Sequence, residues 1–266
     1  WGLASSLPAT GHSFSKFPAS TAAQFNPVAV TGCLLWLDGA DSNATANITT
    51  GVWYDKSGLS STATSNAGGG AFSMGTINTV PAVAFPAASV ARLTASTAIS
   101  TATGFSVFMV ASMSALASSR TYLLSEGNNA YRVYASTTAF PAQVGTYVGA
   151  FFSSLTSPSL AVSTPFVYSA TVGATQFNQW INGVVNTVTG TVTTFTGTTM
   201  NIGNYGAASS VYAFTGQMGE VIVYSGVVTT AQRQAVEGYL AWKWGLQTNL
   251  ATTHPFYKFA PGAVGY

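Results

Sequence analysis

Gln176-Phe-Asn-Gln-Trp-Ile-Asn-Gly-Val-Val185 decides the fold of this chain. Two β-prone runs flank Asn182-Gly183, and both residues of that pair accept the positive φ that a two-residue hairpin turn requires. The same texture extends outward in both directions. Leu34–Leu37, Val52–Tyr54, Ala82–Phe85, Phe105–Val110, Tyr122–Leu124, Tyr131–Tyr134, Val144–Phe152 and Phe166–Val172 precede the hairpin, and Met200–Ile202 and Met218–Tyr224 follow it. Gly, Ser, Asn and Pro separate them. Many short strands at regular spacing with turn signals between them predict a sandwich or barrel. No helical periodicity competes between residue 33 and about residue 225, and no internal repeat is present. The Thr-rich run Thr187–Thr199 reads as a strand with a polar outer face.

One helix is predicted near the end. Thr229 and Gln232 form a Thr-x-x-Gln capping box. Ala235, Val236, Tyr239, Leu240 and Lys243 then recur at helical spacing, and Gly245 supplies a stop, which places the helix at about residues 230–244. Trp242 and Trp244 flank the stripe and are expected to staple the helix to the sandwich. The division that follows is an extended N-terminal arm over 1–32, a sandwich domain over 33–250 and an extended tail over 251–266. The arm is rich in Ala, Ser, Pro and Thr, and its aromatics Trp1, Phe14, Phe17 and Phe25 are read as docking on the domain or on a neighbour. It lacks the basic, apolar and cleavage regions of a signal peptide.

Lys and Arg together number eight and Asp and Glu six in 266 residues, so 5% of the chain is charged, against roughly a quarter in an ordinary soluble domain. At 47% hydrophobic the chain is not of the disordered class. A net charge of +2 from scattered cations gives no field for nucleic acid, so no nucleic-acid partner is expected. Cys33 is alone, which excludes a disulfide scaffold. Phe105–Ala117 is too short and too broken by serine to span a membrane, and no membrane insertion is expected. Uncharged surfaces promote association, so the composition suits a protein packed among neighbours in an assembly.

Gln179-Trp-Ile-Asn-Gly183 resembles the hairpin of laminin-G-like jelly rolls. Ile202-Gly203, Phe214–Tyr224 and the helix after them resemble that family's closing strands and helix, a pattern similar to concanavalin A-like lectin and glucanase folds. The implied architecture is an all-β, two-sheet antiparallel β-sandwich of jelly-roll type with one C-terminal α-helix. Leu35-Trp-Leu-Asp-Gly-Ala-Asp41, Val52-Trp-Tyr-Asp-Lys-Ser-Gly58, Val236–Leu246 and His254-Pro255 resemble a narrower subgroup found in large DNA viruses, marine phages and bacterial surface proteins. That resemblance implies a virion-surface or extracellular location.

Glycosidases of this fold place their carboxylates in a Glu-x-Asp-x-x-Glu pattern on one strand, flanking the scissile bond. Asp38, Asp41, Asp55, Glu126, Glu220 and Glu237 are the chain's six acids, and no set of them fits. Glu220 reads as a hydrogen-bonded residue holding the closing strand, and Glu237 as a surface ion pair with Arg233. His12 and His254 lie in the arm and tail as packing or turn residues. Cys33 reads as a buried small hydrophobe, and Gly68-Gly-Gly70 as a flexible turn. Relatives often carry calcium, and Asp38, Asp41 and Asn43 are the candidate ligands here. The alternative, and the favoured reading, is Asx-turn chemistry, because two carboxylates make a weak calcium site. Asn43 and Asn47 open glycosylation sequons, which would sit in an exposed loop over residues 43–50. Asn128, Asn129, Tyr147, Asn204 and Tyr205 are candidate sugar contacts. They combine the aromatic faces and amides that carbohydrate sites use.

The expectation is a non-catalytic structural or adhesive surface protein, a capsid, fibre or decoration component of a virion or another repeating assembly. Its partners would be copies of itself, other structural proteins and host or cell-surface glycans. A carbohydrate-binding module is the rival, and a glycoside hydrolase the third reading.

Overall fold

In a computed structural model of the chain, Asn182 and Gly183 turn with φ of 52° and 72°, so Ile181 pairs directly with Val184 as the Asn-Gly signal predicts. The structure describes residues 25–66, 72–87, 90–115, 120–136, 143–148, 151–152, 160–186, 192–207 and 209–262. In chain order its elements are β1 (Cys33–Asp38), α1 (Ser42–Asn47), β2 (Val52–Trp53), β3 (Ala63–Ser65), β4 (Ser73–Ile77), β5 (Val80–Phe85), β6 (Leu93–Ser100) and β7 (Phe105–Met113). Then come β8 (Thr121–Glu126), β9 (Tyr131–Ser136), β10 (Gln143–Val148), β11 (Phe151–Phe152), β12 (Phe166–Val172) and β13 (Phe177–Ile181). Last are β14 (Val184–Asn186), β15 (Thr196–Ile202), β16 (Gly216–Ser225) and α2 (Thr230–Lys243).

The strands form two antiparallel sheets. The first runs β14-β13-β12-β7-β16-β5-β4, with β1 also paired to β16. The second runs β11-β10-β9-β8-β15-β6-β3-β2. Alternation along each strand sets the layers. Phe105, Val107, Met109 and Ala111 of β7 point between the sheets, with Leu93, Ala95 and Ile99 of β6 and Tyr131, Val133 and Ala135 of β9 from the opposite side. Phe108 and Val110 point the other way and meet Val236, Leu240 and Trp244 of α2. The central strands β7 and β12 of the first sheet are therefore buried on both faces. In the second sheet β6 alternates between buried and more exposed residues, whereas β8 is buried throughout.

The capping box forms as read: the Gln232 amide N–H donates to Thr229 Oγ1 at 3.2 Å, and the Thr229 N–H donates to Gln232 Oε1 at 2.9 Å. Trp244 is fully buried, as expected of a staple. Trp242 instead donates its indole N–H to the Phe256 carbonyl and ties down the tail.

Several expectations are corrected. The stretch from 33 to 225 contains a short helix, α1, because the Asp41 carboxylate accepts from the Asn43 N–H and caps it. The first sequon therefore lies on α1 rather than a loop, and the second begins at its last residue and runs into a 3-10 turn over Ile48–Thr50. β3, β4 and β6 were not anticipated, being built largely from Ser, Thr, Ala and Gly. Of the Thr-rich run, 187–191 lies outside the described residues and strand begins only at Thr196. Trp1, Phe14, Phe17, His12 and Gly68–Gly70 also lie outside them. Phe25 docks on the domain, 5% exposed and 5.5 Å from the Tyr239 ring. Residues 251–259 run through successive turns, not an extended tail, because the His254 side chain is held inside the fold.

Gly183 is the tightest point of the hairpin. A Cβ there would lie 2.7 Å from His254 Cδ2, at a φ that L-residues avoid. Gly183→Ala is expected to lower stability by about 1–2 kcal/mol, measured by urea denaturation; an unchanged midpoint would contradict the packing described.

Candidate functional site

Two buried carboxylates fasten α2 to the first sheet. The first, Glu220 on β16, is fully buried. Its Oε1 accepts from Trp36 Nε1 at 2.6 Å and the Tyr239 hydroxyl at 2.9 Å. Its Oε2 accepts from Lys243 Nζ at 2.7 Å and Trp244 Nε1 at 2.9 Å. Burial raises its pKa; Lys243 opposes the shift and Asp38 reinforces it. A carboxyl raised in this way contributes stability at acid pH that is lost as pH rises through its folded value.

Lys243 also bonds Asp38 Oδ1 at 2.7 Å, and Lys56 bridges Asp38 and Asp41 at 2.8 and 2.9 Å. The Lys56 ammonium stands 4.4 Å above the Trp36 ring. Asp55 accepts from the Trp36, Ser57 and Ser61 backbone N–H groups. The carboxylates proposed for calcium are thus engaged by two ammonium groups, which a divalent cation would have to displace. Asn43 is exposed on α1, and the Asn47 amide donates to the Asn43 carbonyl. Trp36, Lys56, Tyr239, Trp242 and Lys243 line a cleft of about 730 Å³ above this network.

The second carboxylate is Glu237. Its pair with Arg233 forms, at 2.6 Å, but it is buried rather than superficial. Glu237 also accepts from the Ser169 hydroxyl of β12, and His254 Nε2 lies 3.1 Å away. Arg233 in turn stacks 4.0 Å over Trp180 of the hairpin. Cys33 is half-buried, its thiol pushed up to about 12 by burial and by Asp55.

The outer face of the second sheet is different in kind. Because Tyr131, Val133 and Ala135 point into the core, Arg132 and Tyr134 point out. By the same alternation Val144 and Val148 face in while Tyr147 faces out. Tyr122 of β8 joins them, its ring 6.0 Å from that of Tyr134. The segment after β15 folds back over this face and adds Tyr205 and Tyr212, at 5.5 and 5.6 Å from Tyr122 and 5.3 Å from each other. Arg132 lies between two of the rings, 4.2 Å from Tyr147 and 5.9 Å from Tyr122. Arg120 stands 5.6 Å over Tyr134. Tyr147, Tyr205, Tyr212 and Arg132 are half-exposed, whereas Tyr122 and Tyr134 form the floor.

The predicted sugar contacts converge here in two groups. Tyr147 and Tyr205 present their rings, and Asn128 is exposed at the rim. Asn129 and Asn204 are positioning residues. Asn129 Oδ1 accepts from the Gly206 N–H at 3.0 Å. Asn204 is fully buried, with its amide on the Ser209 carbonyl and its oxygen on the Tyr205 N–H. Glu126 closes the turn below by accepting from the Asn128 and Ala130 N–H groups. Arg132, Tyr122, Tyr134 and Tyr212, which join Tyr147 and Tyr205 on this face, were not among the candidates read from the sequence. The alternation within Tyr131-Arg-Val-Tyr134 is the signal that could have found the first of them.

Comparison with protein families and with curated proteins finds no match. Solved structures do match. Domain 4 of AbnA, a GH43 extracellular arabinanase from Geobacillus stearothermophilus, in complex with arabinotriose, is similar at TM-score 0.56 and 12% identity, covering 76% of this chain and 96% of that one. The binding domain of Paraclostridial Mosquitocidal Protein 1 is similar at TM-score 0.56 and 9% identity, covering 79% of this chain and 52% of that chain. Trypanosoma rangeli sialidase in complex with sialic acid is similar at TM-score 0.53 and 13% identity, covering 80% of this chain and 33% of that one. At these identities the likeness shows a shared β-sandwich fold.

Lys243→Met leaves Glu220 buried without its counter-charge and is expected to cost about 3–5 kcal/mol. Adding Glu220→Gln should recover part of the loss, read as a double-mutant cycle in guanidinium unfolding. An additive pair of effects would contradict the coupling.

Proposed function

We propose that this chain is a non-catalytic glycan-binding module whose contact surface is the tyrosine–arginine face of the second sheet. The observation that carries the reading is the grouping of Tyr147, Tyr205 and Tyr212 as half-exposed rings around Arg132. Rings of this kind lie against the C–H face of a sugar, while hydroxyls, amides and guanidinium take its O–H groups. Tyr147 and Tyr205 serve as platforms and Asn128 as a rim donor. Asn129 and Asn204 hold the loop that positions Tyr205. One of the similar folds, domain 4 of AbnA, is described in complex with arabinotriose, which agrees with this use of the sandwich.

The distribution of acids supports the non-catalytic part. Glu220 accepts four hydrogen bonds beneath α2, and Glu126 is spent on a turn in the other sheet. Asp38 is the cross-strand partner of Glu220, but Lys243 bonds both carboxylates, so the pair is held as an ion-pair network and does not flank an open site as a glycosidase requires. Low charge favours display in a repeating assembly such as a virion or cell surface, with copies of the chain as neighbours. A strictly monomeric protein at millimolar concentration in light scattering would contradict that setting.

The direct test is a glycan array on the whole chain followed by calorimetry on the hits. Tyr147→Ala and Tyr205→Ala are each expected to weaken binding about tenfold, with no saccharide turnover. Unchanged affinity in both variants would contradict the site. Release of sugar that is lost in Glu126→Gln would contradict the non-catalytic reading.

A further inference from the structure

The charges of this chain are sorted between its two sides. All six acidic side chains belong to described residues. Five of them, Asp38, Asp41, Asp55, Glu220 and Glu237, lie around α2 and β1. Three of the cations there are matched, Lys56 to Asp38 and Asp41, Lys243 to Asp38 and Glu220, and Arg233 to Glu237, while Lys258 of the tail is exposed and joins none of these pairs. The sixth, Glu126, is 1% exposed and turned into its own loop. Arg92, Arg120 and Arg132 sit on the second sheet's side, and neither Arg92 nor Arg132 is ion-paired to any of the six carboxylates. In a chain with so few charges this leaves a positive face beside the tyrosines.

Arg92 and Arg132 do different work. Arg92 donates to the Gly206 carbonyl at 2.6 Å and to Thr94 Oγ1, so it pins the loop that carries Tyr205. Arg132 donates from Nε to the Asn129 carbonyl at 2.7 Å and reaches the Tyr122 hydroxyl at 3.5 Å, the far limit of a hydrogen bond. Those contacts account for two of a guanidinium's five N–H donors among the described residues. The Nε bond and the flanking rings of Tyr147 and Tyr122 fix the plane of the group while leaving it half-exposed. A planar guanidinium held in this way matches the two oxygens of a carboxylate or sulfate.

Resting on the glycan-binding reading above, we propose that the face selects acidic glycans, sugars bearing a carboxylate or sulfate, with Arg132 reading the charge and Tyr147 and Tyr205 reading the ring. Selection of this kind depends on an ion pair at a half-exposed site, so it weakens as salt rises.

Calorimetry with the whole chain tests it using matched probes: lactose against sialyllactose for carboxylate, and neutral against sulfated galactan oligosaccharides for sulfate. The acidic partner of at least one pair is expected to bind tenfold or more tightly than its neutral counterpart at low salt, and the two pairs show which anion is preferred. Arg132→Gln should abolish that margin, lowering the affinity for the acidic probe at least tenfold more than that for its neutral counterpart. Arg132→Lys, which keeps the charge but not the fork, should retain part of it. Equal binding of neutral and acidic probes, or a margin that survives Arg132→Gln, overturns the acidic selection and leaves glycan binding standing. No binding by any probe, nor by any glycan on the array, overturns both.

Discussion

A carboxylate buried under a helix is the constraint on which the rest of this molecule depends. Glu220 cannot be ionised in an apolar layer unless every lone pair is met. Trp36 from β1, together with Tyr239, Lys243 and Trp244 from α2, meets them. The requirement fixes where α2 lies on the first sheet. Glu237 repeats the arrangement in reverse, from helix to sheet, through Ser169 and His254. Together they set the rotation and the tilt of a single helix, and they bring the tail and the Asn182–Gly183 hairpin to the same place.

That arrangement consumes most of the chain's ionic groups. A protein with eight cations and six acids has few to distribute, and five of the acids are committed beneath or beside α2. The opposite sheet is left without a covering helix among the described residues and with a surplus of arginine among tyrosines. The division follows from the fold: the side that must hold a helix down takes the counter-charges, and the sheet without a covering helix among the described residues keeps the rings. The cleft beside Trp36 and Trp242 is a concavity of about 730 Å³, yet its ammonium groups are already bonded to carboxylates.

Much of the sandwich was legible because its signals are local. The Asn-Gly turn, the Thr229–Gln232 box and the apolar runs each need only a few neighbouring residues. β6 carries a period of two in Leu93, Ala95, Thr97 and Ile99, but small residues make the contrast faint. α1 was hidden because Asp41 serves equally as a turn former and a helix cap. Of the proposed contact face, Tyr147 and Tyr205 could be singled out from the sequence as candidates, whereas their grouping with Arg132 could not. Reading Glu237 as superficial failed because nothing in its own helix announces that Ser169 and His254 will enclose it. Nor can sequence spacing pair Trp36 with Glu220 across 184 residues, or show that five acids would be drawn to one side and leave Arg132 unmatched on the other.

The account turns on which side of the sandwich meets a ligand. Amide and arginine side-chain NMR shifts, followed while an array-selected oligosaccharide is titrated into the labelled chain, decide it directly. The shifts should concentrate on Tyr122, Arg132, Tyr147 and Tyr205 and leave Trp36 and Trp242 unmoved. Shifts confined to the cleft beside α2, with the second sheet silent, would contradict it.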